Sequence, residues 1–470
     1  MAKLTIDGIE VEVQDGINVI EAAKAADVHV PHFCYHPSLS IVGQCRMCLV
    51  EVEGMPKLQA GCATPVKDGM KIHVWNEKVD KARKGQMEFL LINHPLDCPI
   101  CDKAGECPLQ DYSFNYGSVE SRYGEVKRTY PGMDRTPIGP HVVQNMNRCI
   151  HCTRCIRFAA EITGSGELAF FKRGASTEVG VFAGTPLDNW MSACVTDVCP
   201  TGALTTREFR FESRVWNLDS AASVCNGCDV GCNIFIGYRQ GQVFRYRPRV
   251  NPDVNDHWLC DYGRFSYERY DTDRVVVPKV RTDDDYLGIS TWNEALDAID
   301  GAIRKGGRIG VIASAQQTNE EAAALKKLFG DQLGAQIGVM VDSIGPIKMK
   351  SRTEWILGTQ AAPNFRGVEA AIGQTGLSVL HLMEQGAGGV DVLYICDADF
   401  SERTKDPRWW PTCGRRSSSS SSRGTPTTRS TTSPTSSSPA PSWRRRKGPS
   451  PTCREPSRRS TRPTRRRDRR

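Results

Sequence analysis

Arg148-Cys149-Ile150-His151-Cys152-Thr153-Arg154-Cys155, answered far downstream by Cys199-Pro200, is the stretch on which the fold turns. Three thiols spaced C-x2-C-x2-C can reach one centre from a single loop, and thiolate is the ligand that iron–sulfur chemistry requires. Outward from it, sixteen of the nineteen cysteines lie between Cys34 and Cys260. Fifteen of those, with His94, sort into four sets: Cys34, Cys45, Cys48 and Cys62; His94, Cys98, Cys101 and Cys107; Cys149, Cys152, Cys155 and Cys199; and Cys225, Cys228, Cys232 and Cys260. Each set holds a C-x2-C pair, and its other members would close the cage. Only Cys194 is left over, and it reads as a buried thiol. Structural zinc uses similar ligands at similar spacings. Four unlike spacings in one chain favour iron–sulfur centres, which together read as a path for electrons.

At 470 residues the chain is long enough for three or more modules. Met1-Ala2-Lys3 leads straight into an alternating strand pattern with no secretory signal, so a reducing, cytoplasmic compartment is expected rather than a disulfide framework. No apolar run approaches the roughly 18 to 20 residues needed to span a bilayer, which predicts no direct membrane insertion. The net charge of +7 is unevenly spread: residues 411–470 hold 17 basic and 2 acidic side chains, the remainder 44 and 52. The body is thus mildly acidic, and no basic face suggests nucleic acid.

Lys3 to Val13 alternates around Asp7-Gly8, a two-residue hairpin turn, and Val19 to Ala26 is helical, giving a compact module ending near Val74. Asn76 caps a helix over Glu77 to Ile92 that stops before His94-Pro95. His94 alone could be a helix cap or a ligand. Residues 119–148, with Pro131, Pro137 and Pro140, read as a wrapping linker. Arg308–Ser314 predicts a buried strand, Thr318-Asn319-Glu320-Glu321 the start of a helix, and Val390–Cys396 another strand, a parallel α/β pattern without a nucleotide-binding motif. Gly306-Gly307 reads as a turn. After Trp409-Trp410 the composition turns to Ser, Thr, Pro and Arg, including serine throughout 417–422, and is expected to be disordered.

The first set resembles plant-type 2Fe-2S ferredoxins, with a partial match in spacing and a hairpin and helix that fit their β-grasp fold. Gly43 and Gly61 are expected to let backbone approach its sulfurs. The third set is similar to bacterial two-cluster ferredoxins, which carry C-x2-C-x2-C-x3-C-P twice, each last cysteine serving the other cluster. Here Ala159 stands at the fourth position of the first run, and Asn189, Ser192 and Val195 replace the other three cysteines of the second, so one cubane is expected where that family has two. The fourth set, followed by Asp261-Tyr262-Gly263-Arg264, resembles the N-terminal 4Fe-4S module of molybdopterin oxidoreductases. No cysteine between Cys260 and Cys396 could bind the metal of such enzymes, so the α/β domain behind it looks catalytically silent.

Taken in order, with Cys34-Tyr35-His36-Pro37, Cys45-Arg46-Met47-Cys48, the His94-x3-Cys98-x2-Cys101-x5-Cys107 pattern and Cys199-Pro-Thr-Gly-Ala-Leu204, residues 1–410 resemble the family of 75 kDa-type iron-sulfur subunits, the G subunits of bacterial NADH-quinone oxidoreductase, respiratory complex I. The resemblance implies an α+β and α/β multidomain chain: a 2Fe-2S β-grasp domain (1–78), a 4Fe-4S domain with one His and three Cys ligands (79–118), a 4Fe-4S ferredoxin-like domain (119–214), a 4Fe-4S molybdopterin-oxidoreductase-type domain (215–272), a partial silent α/β domain (273–410) and a basic tail (411–470). It implies one 2Fe-2S and three 4Fe-4S clusters, the fourth set marking the subtype with an extra, off-path cubane, and no molybdopterin. Its expected partners are other peripheral-arm subunits, including the one that binds FMN and NADH, at the cytoplasmic face of the membrane. Electrons would pass from the flavin toward quinone, neither of which binds this chain. Relatives continue as folded α/β sequence past Trp410, so a reading-frame shift in a GC-rich gene would account for the tail. An electron-transfer or α subunit of an NAD-linked formate dehydrogenase or iron hydrogenase is the alternative, and a zinc scaffold the non-redox one.

Overall fold

The computed structural model of the chain describes residues 1–271, 275–284, 286–340, 347–348, 356–357, 362–373 and 390–396. The expectations for Trp409-Trp410 and for residues 411–470 lie outside them.

Strands β1 (Ala2–Ile6) and β2 (Ile9–Val13) form the expected hairpin, with Asp7 and Gly8 at φ of 48° and 84° in the mirror-image turn that matches strand twist. Helix α1 (Val19–Ala25) is capped by Asn18, whose Oδ1 accepts the Glu21 N–H at 3.0 Å. With β3 (Leu49–Val52), β4 (Gln59–Ala60) and β5 (Lys71–His73) the hairpin makes a mixed sheet of order β2-β1-β5-β3-β4, the β1–β5 pair parallel. Leu4, Ile6, Val19, Ile20, Val50 and Ile72 form its core.

Helix α2 (Glu77–Leu91) starts where Asn76 accepts the Val79 N–H at 2.9 Å. Its buried Val79, Arg83 and Met87 are spaced four apart on one face. A loop then leads to α3 (Pro108–Tyr116), with Pro108 at the first helical position, where its missing N–H costs nothing.

Residues 119–148 depart from the linker expectation in their second half. β6 (Thr136–Pro137) and β7 (Val142–Gln144) join β10 (Leu204–Thr206) in an antiparallel sheet of order β10-β7-β6, and β7 is buried throughout. Pro137 is tolerated because β6 is an edge strand of that sheet. Around it lie α4 (Arg154–Glu161), the hairpin β8 (Leu168–Phe171) and β9 (Glu178–Val181), and α5 (Cys194–Val198), over a core of Phe158, Leu187, Met191 and Val195.

β11 (Asp219–Val224), β12 (Asn233–Arg239) and β13 (Gln242–Pro248) form an antiparallel meander, followed by the short helices α6 (Asp261–Arg264) and α7 (Glu268–Asp271). β14 (Lys279–Arg281) pairs with β15 (Leu287–Ile289) ahead of α8 (Trp292–Arg304). Gly306 and Gly307, both at positive φ, make the expected turn into β16 (Ile309–Ser314), which is buried along its whole length. Thr318 and Glu321 form a reciprocal capping box on α9 (Asn319–Leu325). β17 (Gln336–Met340), a short pair β18 (Ile347–Lys348) and β19 (Ile356–Leu357), α10 (Phe365–Ile372) and β20 (Val392–Ile395) follow. The parallel order β17-β16-β20 bears out the α/β expectation.

Candidate metal centres

The first set lies in the loop between α1 and β3 and just after β4. The Cys34 N–H donates to Cys45 Sγ at 3.5 Å. Hydrogen bonds from the Cys45 and Cys62 thiols hold Cys34 well below the usual thiol range, and the same contacts push Cys45 and Cys62 up. Cys48 is lowered through Cys62, so all four side chains are linked. Arg46, at φ 55° between two of the cysteines, is in the left-handed region that non-glycine residues adopt uncommonly.

The second set is looser. Cys101 and Cys107 are buried, and burial pushes Cys107 up to about 11, Cys101 adding to the shift. Cys98 is exposed, between Leu96 and Ile100, which are themselves 89% and 63% exposed. His94 follows the end of α2 as expected. Burial, then Arg148, hold it at about 4, so its imidazole is neutral, and its Nδ1 is buried without a hydrogen-bond partner. A neutral ring with an orphaned nitrogen suits a metal better than it suits a helix cap, which would spend that atom on backbone.

The third set lines one cavity: Cys149, Cys152, Cys155 and Cys199, walled by Val179, Pro200 and Leu204. Burial pushes all three loop thiols up, Cys152 to about 11, and the other thiols of the set add to the effect. His151 and Thr153 are at φ 53° and 64°, so the loop's amides turn toward sulfur: the His151 N–H donates to Cys149 Sγ at 3.4 Å. Such N–H···S bonds orient ligands and tune a cluster.

The fourth set is built by the β11–β12 loop, which the Cys225 N–H closes by donating to the Cys232 carbonyl at 2.7 Å, and by Cys260 at the N-cap of α6. Cys260 is pushed up to about 12 by burial, with Cys225 and Cys228 contributing. The Gly263 N–H donates to Cys260 Sγ at 3.3 Å and the Gly227 N–H to Cys225 Sγ at 3.4 Å. Thiols held neutral by burial give up their protons only to a metal that supplies the compensating charge.

Among the described residues no three such side chains converge on a point that seats a single ion. Cys194 is fully buried outside every set, its thiol donating to the Leu259 carbonyl at 3.1 Å, as expected. Of the two glycines expected near sulfur, Gly43 is at φ 65° with open space where a Cβ would lie, and a Cβ on Gly61 would meet the Cys48 carbonyl at 3.0 Å and the Val19 side chain at 3.6 Å. Close approach occurs instead at Gly202, where a Cβ collides with Cys101 Sγ, and at Gly263, where it lies 2.8 Å from Cys225 Sγ.

The sets adjoin one another. Cys34 and Cys45, Cys107 and Cys152 share one apolar cluster with Phe33, Met47 and Leu109, while Cys155, Cys199 and Cys260 share another with Phe158 and Trp258. Polar ties reinforce each seam. Arg148 reaches Asp97 at 2.8 Å, tying the third set's loop to the second's. Arg264 pairs with Asp197, and Asp261 accepts the Ser192 hydroxyl at 2.6 Å, tying the fourth to the third. Residues Arg154 and Arg157 of α4 donate to the carbonyls of Tyr35 and Cys34, tying the third to the first. None of these roles was read from sequence, although every one of these arginines is within four residues of a cysteine of the third or fourth set.

Four family models match in chain order: a 2Fe-2S iron-sulfur cluster binding domain over residues 1–77, the NADH-ubiquinone oxidoreductase-G iron-sulfur binding region over 83–122, the NADH-quinone oxidoreductase subunit 3 ferredoxin-like domain over 139–205, and the NADH-ubiquinone oxidoreductase NDSU1/NuoG-like 4Fe-4S domain over 223–268. Among similar proteins, the mitochondrial NADH-ubiquinone oxidoreductase 78 kDa subunit of Candida albicans is 42% identical over 71% of this chain and 46% of its own length. The NADH-quinone oxidoreductase G subunit of Rickettsia felis is 45% identical over 70% and 49%, and that of Streptomyces coelicolor 42% identical over 70% and 39%. The chain therefore spans less than half the length of these curated relatives. A chain in a crystal structure of an NAD+-reducing NiFe hydrogenase is 29% identical, with a TM-score of 0.40, over 46% of this chain and 91% of that one. By the order of its four iron–sulfur domains and by these identities, the chain belongs to the family of NADH-quinone oxidoreductase G subunits.

Proposed function

We propose that the chain relays electrons within an NADH-quinone oxidoreductase, holding one 2Fe-2S cluster on Cys34, Cys45, Cys48 and Cys62 and three 4Fe-4S clusters on the other sets, His94 completing the second. The observation that carries this reading is the contiguity of the sets: ligand residues from three of them share one apolar cluster, and a second cluster joins the fourth. Iron–sulfur clusters take up and release single electrons, and a relay needs them near one another in a dry, low-dielectric interior. The chain's own contribution is to exclude water, to hold ligand loops in register through arginine ties, and to aim backbone N–H groups at sulfur.

The wider reading follows the same family. The partners are the other peripheral-arm subunits, including the FMN- and NADH-binding one, and the chain sits on the cytoplasmic face of the membrane through them. Among the described residues no helix is long and apolar enough to cross a membrane. Residues 273–410 are read as a silent relative of the molybdopterin-oxidoreductase domain, and the fourth cluster as lying off the main path.

The test is elemental analysis and low-temperature EPR of the anaerobically prepared full chain. Iron and acid-labile sulfide in equal amounts, with one 2Fe-2S and several 4Fe-4S signals on reduction, are expected. Colourless protein holding only zinc refutes the reading.

A further inference from the structure

The four arginines at the seams between sets differ in one respect. Arg148 and Arg264 each meet a carboxylate, Asp97 and Asp197. Arg154 and Arg157, one helical turn apart on the same face of α4, have no ion-pair partner among the described residues. Arg157 is 8% exposed. Its Nη2 donates to the carbonyls of Cys34 and Cys152, its Nη1 to the Ser40 carbonyl, and its Nε to Thr153 Oγ1 at 3.2 Å. Arg154 donates to the Tyr35 carbonyl and, at 3.3 Å, to the carbonyl of Val198, the neighbour of Cys199, and its Nε is buried without a partner. Each guanidinium therefore spans from a first-set loop to a third-set loop.

Two like charges on one helix face, Arg157 buried and Arg154 partly so, whose donors meet neutral carbonyls and one hydroxyl, are unfavourable unless an anion lies close by. Among the described residues no Asp or Glu forms an ion pair with either of them. What they meet are the cysteine-bearing loops: Arg157 Nη2 is on the carbonyls of Cys34 and Cys152 themselves, and Arg154 is on those of Tyr35 and Val198, the neighbours of Cys34 and Cys199. Four thiolates outweigh the positive charge of an iron–sulfide core, so loaded clusters on both sides are net anions.

We infer that Arg154 and Arg157 are the buried counter-charge shared by the first and third iron–sulfur sites, clamping their ligand loops together and raising the reduction potentials of the clusters held there. This rests on the cluster reading above. Reduction adds one electron to a cluster without making or breaking a bond, and a fixed cation beside it favours the more negative, reduced form.

The experiment is an EPR-monitored reductive titration with dithionite of the full chain and of Arg154→Gln, Arg157→Gln, Arg154→Lys and Arg157→Lys, each checked for iron content. The third cluster is assigned by its loss in Cys152→Ser. Neutralising either arginine is expected to shift the reduction equilibrium of both adjacent clusters about tenfold toward the oxidised form, about 59 mV for one electron. The lysine variants keep the charge and are expected to stay near the parent, while the fourth cluster is unchanged throughout. A parent protein without the two signals overturns the cluster reading itself. Signals present but with unmoved potentials in both glutamine variants overturn only this inference. Should Arg157→Gln lose a cluster, the Arg154 pair and Arg157→Lys still decide: lysine shifting a potential as far as glutamine overturns the charge role.

Discussion

Replacing Gly263 by alanine tests how tightly the fourth site is built. A Cβ there lies 2.8 Å from Cys225 Sγ and 3.5 Å from both Cys260 Sγ and Leu259 Cδ1. Ordinary carbon contacts begin near ~3.5 Å, so the new methyl intrudes by about 0.7 Å on a sulfur that the β11–β12 loop holds in place. Overpacking of this size costs about 1–3 kcal/mol. Gly263 is in α6 at an ordinary negative φ, so alanine recovers at most about 1 kcal/mol of helix propensity. The net expectation is a loss of about 1–2 kcal/mol, concentrated on the fourth set. Iron content and EPR on the loaded full chain should show one 4Fe-4S signal weakened or lost, with the 2Fe-2S signal intact. Gly85→Ala is the control: it sits mid-helix in α2 with nothing within 4 Å of its Cβ position, and should stabilise by about 1 kcal/mol. Full occupancy of every cluster in Gly263→Ala, with unchanged thermal stability, would refute the close approach.

Phe158, fully buried against Trp258 at 5.0 Å between ring centroids, should cost about 3–5 kcal/mol when cut to alanine, read by denaturant unfolding. Glu106→Gln should cost about 3 kcal/mol, because it strands Arg245, which donates to both carboxylate oxygens at 3.0 and 2.8 Å, and Lys103 in a mostly buried pocket; an unchanged unfolding midpoint counts against that pairing. The proposed ligation by His94 predicts that His94→Ala destabilises one cubane and that His94→Cys restores it at a shifted potential, whereas spectra unchanged in both variants leave His94 a cap. Cys225→Ser should remove one 4Fe-4S signal yet leave most NADH-to-quinone electron flow in the assembled complex, and complete loss of turnover there would overturn the off-path reading.

Much of this was legible because it is local. The Asp7-Gly8 turn, the Asn76 cap and the helix start at Thr318–Glu321 each depend on residues at most three apart, and each formed as expected. A C-x2-C pair likewise declares which thiols share a loop. It is silent on which loops adjoin, because that depends on contacts such as Arg157 to Cys34 and Arg154 to Tyr35, more than a hundred residues apart in the chain. Glycine near a cysteine in the chain was a poor guide for the same reason: Gly61 packs against the Cys48 carbonyl and Val19, while Gly202 crowds Cys101 Sγ from a distant segment.

The positions where the two-cluster ferredoxin pattern would place cysteines and this chain has others are used for a contact between modules. Ser192 stands where a cysteine would be, and its hydroxyl donates to Asp261, the residue after Cys260; the Ala193 N–H donates to the same carboxylate at 3.0 Å, and the Asp261 N–H returns to the Trp190 carbonyl at 2.8 Å. Burial pushes the Asp261 carboxyl up, against the pull of the Ser192 hydroxyl and Arg264, so this seam is stable only while its hydrogen bonds are complete. This segment, with no cysteine at 189, 192 or 195, thus presents donors to the neighbouring module. The start of α6, and with it Cys260 and the fourth set, is anchored on Trp190, Ser192 and Ala193. Sequence alone recorded that these positions hold no cysteine, but the contact from Ser192 to Asp261 joins residues nearly seventy apart, and only the folded chain brings them together.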